Sequence, residues 1–401
     1  MFLLSWTPFA LATAVAWIAL VALAGVVRGR FFAVFTAIMF GVHGLISAAL
    51  WPELAARGLA PVVVWLQVAA ALHYASLNFP KLRSGPWRSL VTWPGLWWGA
   101  ASFLALPWAI AAALDWTPHG LWLPYLVGFA GLVQSLRNRA ATIDLVLDDE
   151  PVETLGRRAH GEARSARPLR IVQITDPHLG PFMSVERLRG VAERAVAADP
   201  DLVLLTGDYL TMESQATPGC LAEALSPLRA LDGRVFACRG NHDLEAPDMV
   251  ARELAEVGAR LLIDEAVVVE TETGPVQILG MDFRWRDRQV HTRTIAERWP
   301  RVAGALRIVL LHDPAAFASV PDGLGDLVLS GHTHGGQVGL VSLGLPWTAV
   351  SLLSKTPDHG FWALGRNRLY VHRATGHYGF PLRVGVPNEE GVIQVHAAAP
   401  A

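Results

Sequence analysis

Charge is what this chain has least of. Lys, Arg, Asp and Glu make up 17% of its 401 residues, against about 25% in an average soluble domain. The shortage is concentrated at one end. Across residues 1–136 the only charged side chains are Arg28, Arg30, Glu53, Arg57, Lys81, Arg83, Arg88 and Asp115, while the same stretch holds 11 of the 15 Trp. That composition points to a membrane part over the first third of the chain, with a buried helical bundle of a soluble protein as the alternative. Cysteine is scarce too. Cys220 and Cys238 stand alone, too few for a disulfide framework or a cysteine-rich zinc site. They read as two buried thiols, with a single disulfide as the alternative. Net charge is only −2, so general attraction to a nucleic-acid polymer is not expected. The first apolar run lacks a basic flank and a clear small-residue cleavage site, so it reads as a span rather than a removable signal.

What is abundant is hydrophobic sequence, 52% of all residues. Five apolar stretches follow one another: Pro8–Val27, Phe31–Trp51, Leu59–Leu77, Gly95–Leu114 and Gly120–Leu136. Most approach the ~20 residues a helix needs to cross a bilayer. Arg28 and Arg30, then Lys81, Arg83 and Arg88, then Arg137 and Arg139 fall in alternate connections, while the opposite connections hold only Arg57. Basic loops stay cytoplasmic. Five spans with the N-terminus outside therefore make a multi-pass protein of the cell (inner) membrane with the rest of the chain in the cytoplasm; a miscounted span reverses that side. Trp6, Trp51, Trp93, Trp116 and Trp122 lie near span ends, where interfacial aromatics collect. His43 and His73 lie inside apolar stretches and read as neutral side chains packed between helices, with a functional role as the alternative.

Residues 137–168 read as a linker, although Thr142–Leu147 alternates like a strand. From 169 to 401 short β-branched runs alternate with helical segments, which implies an α/β domain. Strands are expected at Leu169–Thr175, Leu202–Thr206, Val235–Cys238, Val276–Gly280, Arg307–Leu311, Asp326–Ser330 and Val392–His396. Helices are expected at Ser184–Ala198, Leu221–Ala230, Met249–Val257 and Thr292–Val302. Metal-type residues follow five of these strands at once: Asp176-Pro177-His178, Gly207-Asp208, Arg239-Gly240-Asn241-His242-Asp243, His312-Asp313 and Gly331-His332-Thr333-His334. Ligands of open α/β sheets bind beyond the carboxyl ends of the strands. Residues two apart in extended chain point the same way, so Asp176 with His178, and His332 with His334, can each serve one locus or supply one ligand to each of two nearby ions. Mixed carboxylate and imidazole donors suit transition metals rather than calcium.

These segments resemble the calcineurin-like metallophosphoesterase superfamily, whose series Asp-x-His, Gly-Asp, Gly-Asn-His-Asp/Glu, His and Gly-His-x-His is met here in order. Ser330-Gly-His-Thr-His-Gly-Gly-Gln337, Leu369-Tyr-Val-His-Arg373 and Pro381-Leu-Arg383 are similar to the bacterial subgroup with an N-terminal membrane segment, related to proteins that hydrolyse UDP-2,3-diacylglucosamine. The resemblance implies two packed β-sheets flanked by helices, joined here to a transmembrane helical domain. It implies two divalent ions (Mn, Fe or Zn). Asp176, His178 and His334 would hold the first, Asn241, His312 and His332 the second, and Asp208 would bridge them. His242 would contact the phosphate and protonate the leaving oxygen, Asp243 would orient His242, and Arg239 would bind phosphate, with a structural Arg as its alternative. Thr175, Pro177, His372 and Ala374 depart from the subgroup, which bears on substrate rather than on the metal site.

The function so implied is hydrolysis of a phosphoester by a metal-bridging hydroxide. A lipid-linked phosphodiester or pyrophosphate suits a chain with a bilayer as partner. A nucleotide or cyclic-nucleotide phosphodiesterase, and a non-catalytic membrane sensor or scaffold, are the rivals. Val338–Leu353 reads either as a core strand with a buried turn or as an apolar lip facing lipid.

Overall fold

The computed structural model describes residues 7–137, 140–148, 150–159, 167–379 and 382–396. Trp6, Arg139 and Pro381 lie outside them. The chain divides into two compact units, residues 1–136 with 378–384 and residues 137–377 with 385–401.

The first unit is helical. Thr7 caps the helix Pro8–Val27, its hydroxyl accepting from the Ala10 N–H at 3.2 Å, and Pro8 sits where a missing N–H costs nothing. Gly29, at φ +89°, turns the chain into the helix Arg30–Ala56. The helices Ala60–Ser76 and Trp122–Leu136 are shorter. The fourth stretch is not the single rod that hydropathy implies. It breaks at Ala105 into Gly85–Leu104 and Leu106–Ala113, bent by 61°. Pro107, within the first turn of the second piece, cannot donate to the preceding turn and its ring crowds the carbonyl there. Among the described residues, two helices are long and apolar enough to cross a membrane, or three if the bent pair is one span. Close packing comes from small residues: a Cβ on Gly95 would stand 2.8 Å from the backbone of Ala69 and Ala70. The stretch 378–384, expected with the C-terminal domain, belongs to this unit; the Arg383 N–H donates to the Ser135 hydroxyl at 3.3 Å.

The second unit holds two sheets. In chain order the strands are β1 (Ala140–Val146), β2 (Val152–Arg157), β3 (Leu169–Ile174), β4 (Leu202–Leu205), β5 (Val235–Ala237), β6 (Arg260–Leu261), β7 (Glu265–Thr271), β8 (Gly274–Gly280), β9 (Leu306–Leu310), β10 (Leu327–Ser330), β11 (Gly360–Gly365), β12 (Asn367–Val371) and β13 (Glu390–His396). One sheet runs β1-β13-β3-β4-β5-β6 and the other β2-β11-β12-β10-β9-β8-β7. The stretch expected as a linker therefore supplies an edge strand to each sheet, because β13 and β11 offer unpaired edges that β1 and β2 satisfy.

The sheets meet across one core. Ile171, Leu202, Leu204 and Phe236 from the first pack with Ile278, Ile308, Leu310, Leu327 and Leu329 from the second. Val309, Leu311 and Val328 point to the opposite face and pack with Ile295 and Phe317. Burial on both faces explains why these strands read as unbroken apolar runs. Strands β3, β4 and β5 lie side by side and parallel, as do β9 and β10. The Gln173 amide ties the two groups together, donating to the Thr206 hydroxyl at 2.8 Å and the Ser330 carbonyl at 3.1 Å.

Candidate metal centre

Every residue expected as a ligand follows one of those five parallel strands. Asp176 and His178 leave β3, Asp208 leaves β4, Asn241 leaves β5, His312 leaves β9, and His332 and His334 leave β10. They fall into two groups. Donor atoms of Asp176, His178 and His334 lie within 4.8 Å of one another, as do those of Asp208, His312 and His332. Within the first group the two Nε2 atoms of His178 and His334 are 3.2 Å apart, and His334 Nε2 is 3.3 Å from Asp176 Oδ1. Nitrogen ligands each about 2.1 Å from one ion end up about 3.0–3.4 Å apart, so the spacing fits a cation. The groups adjoin: Asp208 Oδ2 is 3.2 Å from His312 Nε2 and 3.7 Å from His178 Nε2. Asn241 Oδ1 is buried without a hydrogen-bond partner, the condition of a donor awaiting an ion.

The backbone is bent to achieve this. Asp176, His178, Asp208, His332 and His334 adopt φ between +45° and +66° and are five of the eleven non-glycine residues with positive φ among those described. That conformation costs an L-residue roughly 1–2 kcal/mol and collects at functional sites. Close approach holds it. The N–H of Asp176 donates to Gly207 O at 2.9 Å, and the N–H of His332 donates to both Asp176 carboxylate oxygens at 3.0 and 2.9 Å. A Cβ on Gly240 would strike the Asp208 carboxylate and one on Gly331 that of Asp176, so only glycine fits at either place. His312 Nδ1 is 2.7 Å from the Thr206 carbonyl. Donation there leaves Nε2 as the ligand atom.

Electrostatics follow from burial and crowding. Burial pushes the Asp176 and Asp208 carboxyls up, but the neighbouring histidines outweigh it and hold both below the usual carboxylate range. Burial also opposes protonation of His312, yet Asp208 and Asp176 push it up to about 10. His178 is lowered to about 3, burial prevailing over the same carboxylates. The two ionised carboxylates, Asp176 and Asp208, attract divalent charge to the site.

The three residues expected to act on phosphate are placed differently. The His242 ring stands edge-on to His178 with centroids 5.3 Å apart. Its Nδ1 faces Glu245 Oε1 at 3.0 Å. Burial would lower the His242 pKa, but the Glu245 hydrogen bond and nearby carboxylates raise it. Asp243 does not hydrogen-bond His242. Its carboxylate accepts the N–H groups of Asp208 at 2.8 Å, Tyr209 at 2.9 Å and Gly240 at 2.8 Å, so it pins the β4 and β5 loops together. Arg239 turns a bidentate edge to Asp282, at 2.9 and 2.7 Å, which is its structural reading. Sequence reasoning missed Glu245, Asp282 and Gln173. The only signal for Glu245 was its position three residues after His242, one turn on. Cys220 and Cys238 are buried free thiols.

A centre of clustered Asp and His at parallel strand ends defines a metal-dependent hydrolase of α/β type. A model of the calcineurin-like phosphoesterase family matches residues 169–336. The chain is 30% identical over 223 residues to the Escherichia coli phosphodiesterase YaeI, covering 54% of this chain and 79% of that one. It is 28% identical over 228 residues to a metallophosphoesterase of Helicobacter pylori, covering 56% and 58%. It is 28% identical over 273 residues to the Danio rerio transmembrane protein with metallophosphoesterase domain, covering 64% and 58%. The chain thus spans about three-fifths of the latter two relatives. It belongs to the calcineurin-like phosphoesterase family and is a hydrolase acting on phosphoester bonds.

Proposed function

We propose that this chain is a membrane-held phosphodiesterase that works with two divalent ions on a lipid-linked substrate. The observation that carries it is the position of Asp208, whose Oδ2 lies between His178 of one ligand group and His312 of the other. Asp176, His178 and His334 would hold one ion, Asn241, His312 and His332 the other, and Asp208 would serve both. The ions, when bound, supply Lewis-acid stabilisation of the phosphoryl oxygens and an acidified water. His242, with Glu245 on its Nδ1, presents Nε2 to the leaving oxygen as proton donor. Asp243 keeps the two loops in register, and Arg239 is held by Asp282 at the rim.

The membrane part of the reading rests on the apolar helices and on the basic residues that fall between them. Five spans require the two shorter helices and the bent pair each to cross, which puts the catalytic unit in the cytoplasm. A C-terminal fusion tests this: a green fluorescent reporter that lights and an alkaline phosphatase reporter that stays inactive support it, and the reverse pattern refutes it.

The catalytic part is tested by metal analysis and by turnover of a chromogenic phosphodiester, a nucleotide and a vesicle-borne lipid pyrophosphate with Mn, Fe or Zn. Asp208→Asn is expected to lose metal and to drop kcat/KM by at least about 10³-fold, as loss of a group that stabilises developing charge does. Full activity of metal-loaded Asp208→Asn overturns the assignment. Preference for the nucleotide over the lipid would move the reading to a nucleotide phosphodiesterase.

A further inference from the structure

The loop that follows the last ligand is built unlike the rest of its unit. Residues 335–354 contain no charged side chain, and Lys355 closes the run. The structure does not bury this segment as a core strand and turn. Leu343 is 74% exposed, Trp347 55%, Leu352 77% and Leu353 88%. Exposed apolar patches of this kind mark interaction surfaces.

The loop is also held firmly at its base. Gly339 bridges Thr348 across it. The Thr348 hydroxyl donates to the buried Asp358 carboxylate, and Thr348 with Ser351 forms a reciprocal cap on the short helix Ala349–Leu353. Arg157 pairs with Asp358 from the other side and donates to the His359 carbonyl at 2.6 Å. The Thr333 hydroxyl, between His332 and His334, donates to the Asp358 carbonyl at 2.6 Å. The apolar side chains therefore stand out from a pinned frame, and that frame is continuous with the ligand loop.

We propose that the 338–353 loop inserts into the bilayer interface and sets the metal centre against the membrane surface. The occupant follows from this chain itself. It carries helices apolar enough to cross a membrane, so a bilayer is always at hand. In sequence only residues 137–139 separate the helix ending at Leu136 from the strand beginning at Ala140. Uncharged sequence, leucines, one tryptophan and a terminal lysine match what an interfacial segment needs. The inference builds on the membrane-held reading but does not require the chemistry to be right.

The test uses the full-length chain in lipid nanodiscs. Cys220 and Cys238 are buried, so a cysteine at Leu343→Cys or Leu352→Cys can be labelled selectively with an environment-sensitive fluorophore. Val290→Cys, on a 68% exposed position of the same unit, is the reference. Labels at 343 and 352 are expected to be blue-shifted, shielded from iodide about tenfold relative to 290, and quenched by lipid-borne nitroxide. Equal iodide quenching at all three positions overturns the proposal. Shielding by micellar single-chain lipid but not by nanodiscs assigns the loop to an acyl chain and also overturns it. With hydrolysis established, Leu343→Ser/Leu352→Ser is expected to raise KM for a vesicle-borne substrate about tenfold, the order that two lost apolar burials allow, and to leave a soluble chromogenic diester unaffected. Loss with both substrates would refute an interfacial role. A failed phosphoesterase assay would leave the depth measurement standing, so the two readings fail separately.

Discussion

The two units of this chain are built inside out with respect to each other. In the sheet unit the large apolar residues are inside and the surface carries the charge. In the helices the order reverses: Val26 and Phe31 are 87% and 88% exposed, while Thr36, His43, Ser47, Gln67, His73 and Ser102 are buried. Gln67 accepts from the buried Trp98 indole N–H at 2.9 Å, and His43 sits among the rings of Phe40 and Trp98. Surfaces that face lipid gain nothing by hiding leucine, so helices there associate through small residues and neutral hydrogen bonds. The treatment of charge differs likewise. The polar groups buried in the helices are neutral, whereas the sheet unit buries Asp176, Asp208, Asp358 and Glu389, each beside a cation or histidine. The 338–353 loop is the place where the second unit adopts the surface chemistry of the first.

Substitution can break this contrast. Leu310→Ala, in the core between the sheets, should cost about 2–5 kcal/mol of stability. Phe31→Ala, on the outer surface of a helix, should cost under about 0.5 kcal/mol in detergent. Chemical denaturation of the two variants measures both, and equal losses would mean that the helical unit has an ordinary soluble core.

Buried charge offers a second test. Burial alone would raise the Glu389 carboxyl, but His372, Arg373 and the Tyr370 hydroxyl bring it down to about 2 from its ordinary 4.5. A depressed folded pKa adds stability that is complete above the unfolded value and is lost as pH falls toward 2, a contribution of about 3 kcal/mol. Stability of the native chain should therefore fall between pH 5 and pH 2 more steeply than that of Glu389→Gln. Parallel profiles would remove Glu389 from the account.

The charge in the sheet unit also bears on His242. Glu245 helps to hold its pKa up, and a proton donor must be protonated to act. Activity should fall as pH rises through that pKa, and Glu245→Gln should move this alkaline limb to lower pH with about a tenfold loss at neutral pH. An unmoved limb would mean that Glu245 only braces its turn.

Much of this was legible in the chain, and the exceptions share a cause. Helices occupy all five apolar stretches, because a long uncharged run has few other ways to satisfy its backbone. The break at Ala105 was readable in principle from Pro107, but hydropathy averages over it. Strands β3, β4, β5, β9 and β10 were visible because both faces are buried and the runs are continuous, and β1, β8 and β13 because their apolar or alternating runs read as strands. Strands β2 and β7 lie at the edges of the second sheet and β11 beside one, where partners rather than composition decide pairing. Asp243 and Arg239 bond partners that the motif does not name, Asp208, Tyr209 and Asp282, because a motif names residue types while the hydrogen bonds each side chain makes depend on neighbours distant in sequence.

The sequence by itself determined which residues could bind metal and that each follows a strand, since ligand type and strand-forming runs are local properties. It also determined that the first third of the chain suits lipid. Only the tertiary structure decided that the ligands come from two sheets facing across one core, that Asp208 lies between the two groups, and that the uncharged loop stands exposed. Those depend on the order in which strands pair, and pairing joins residues such as Ile171 and Leu202 that lie far apart along the chain.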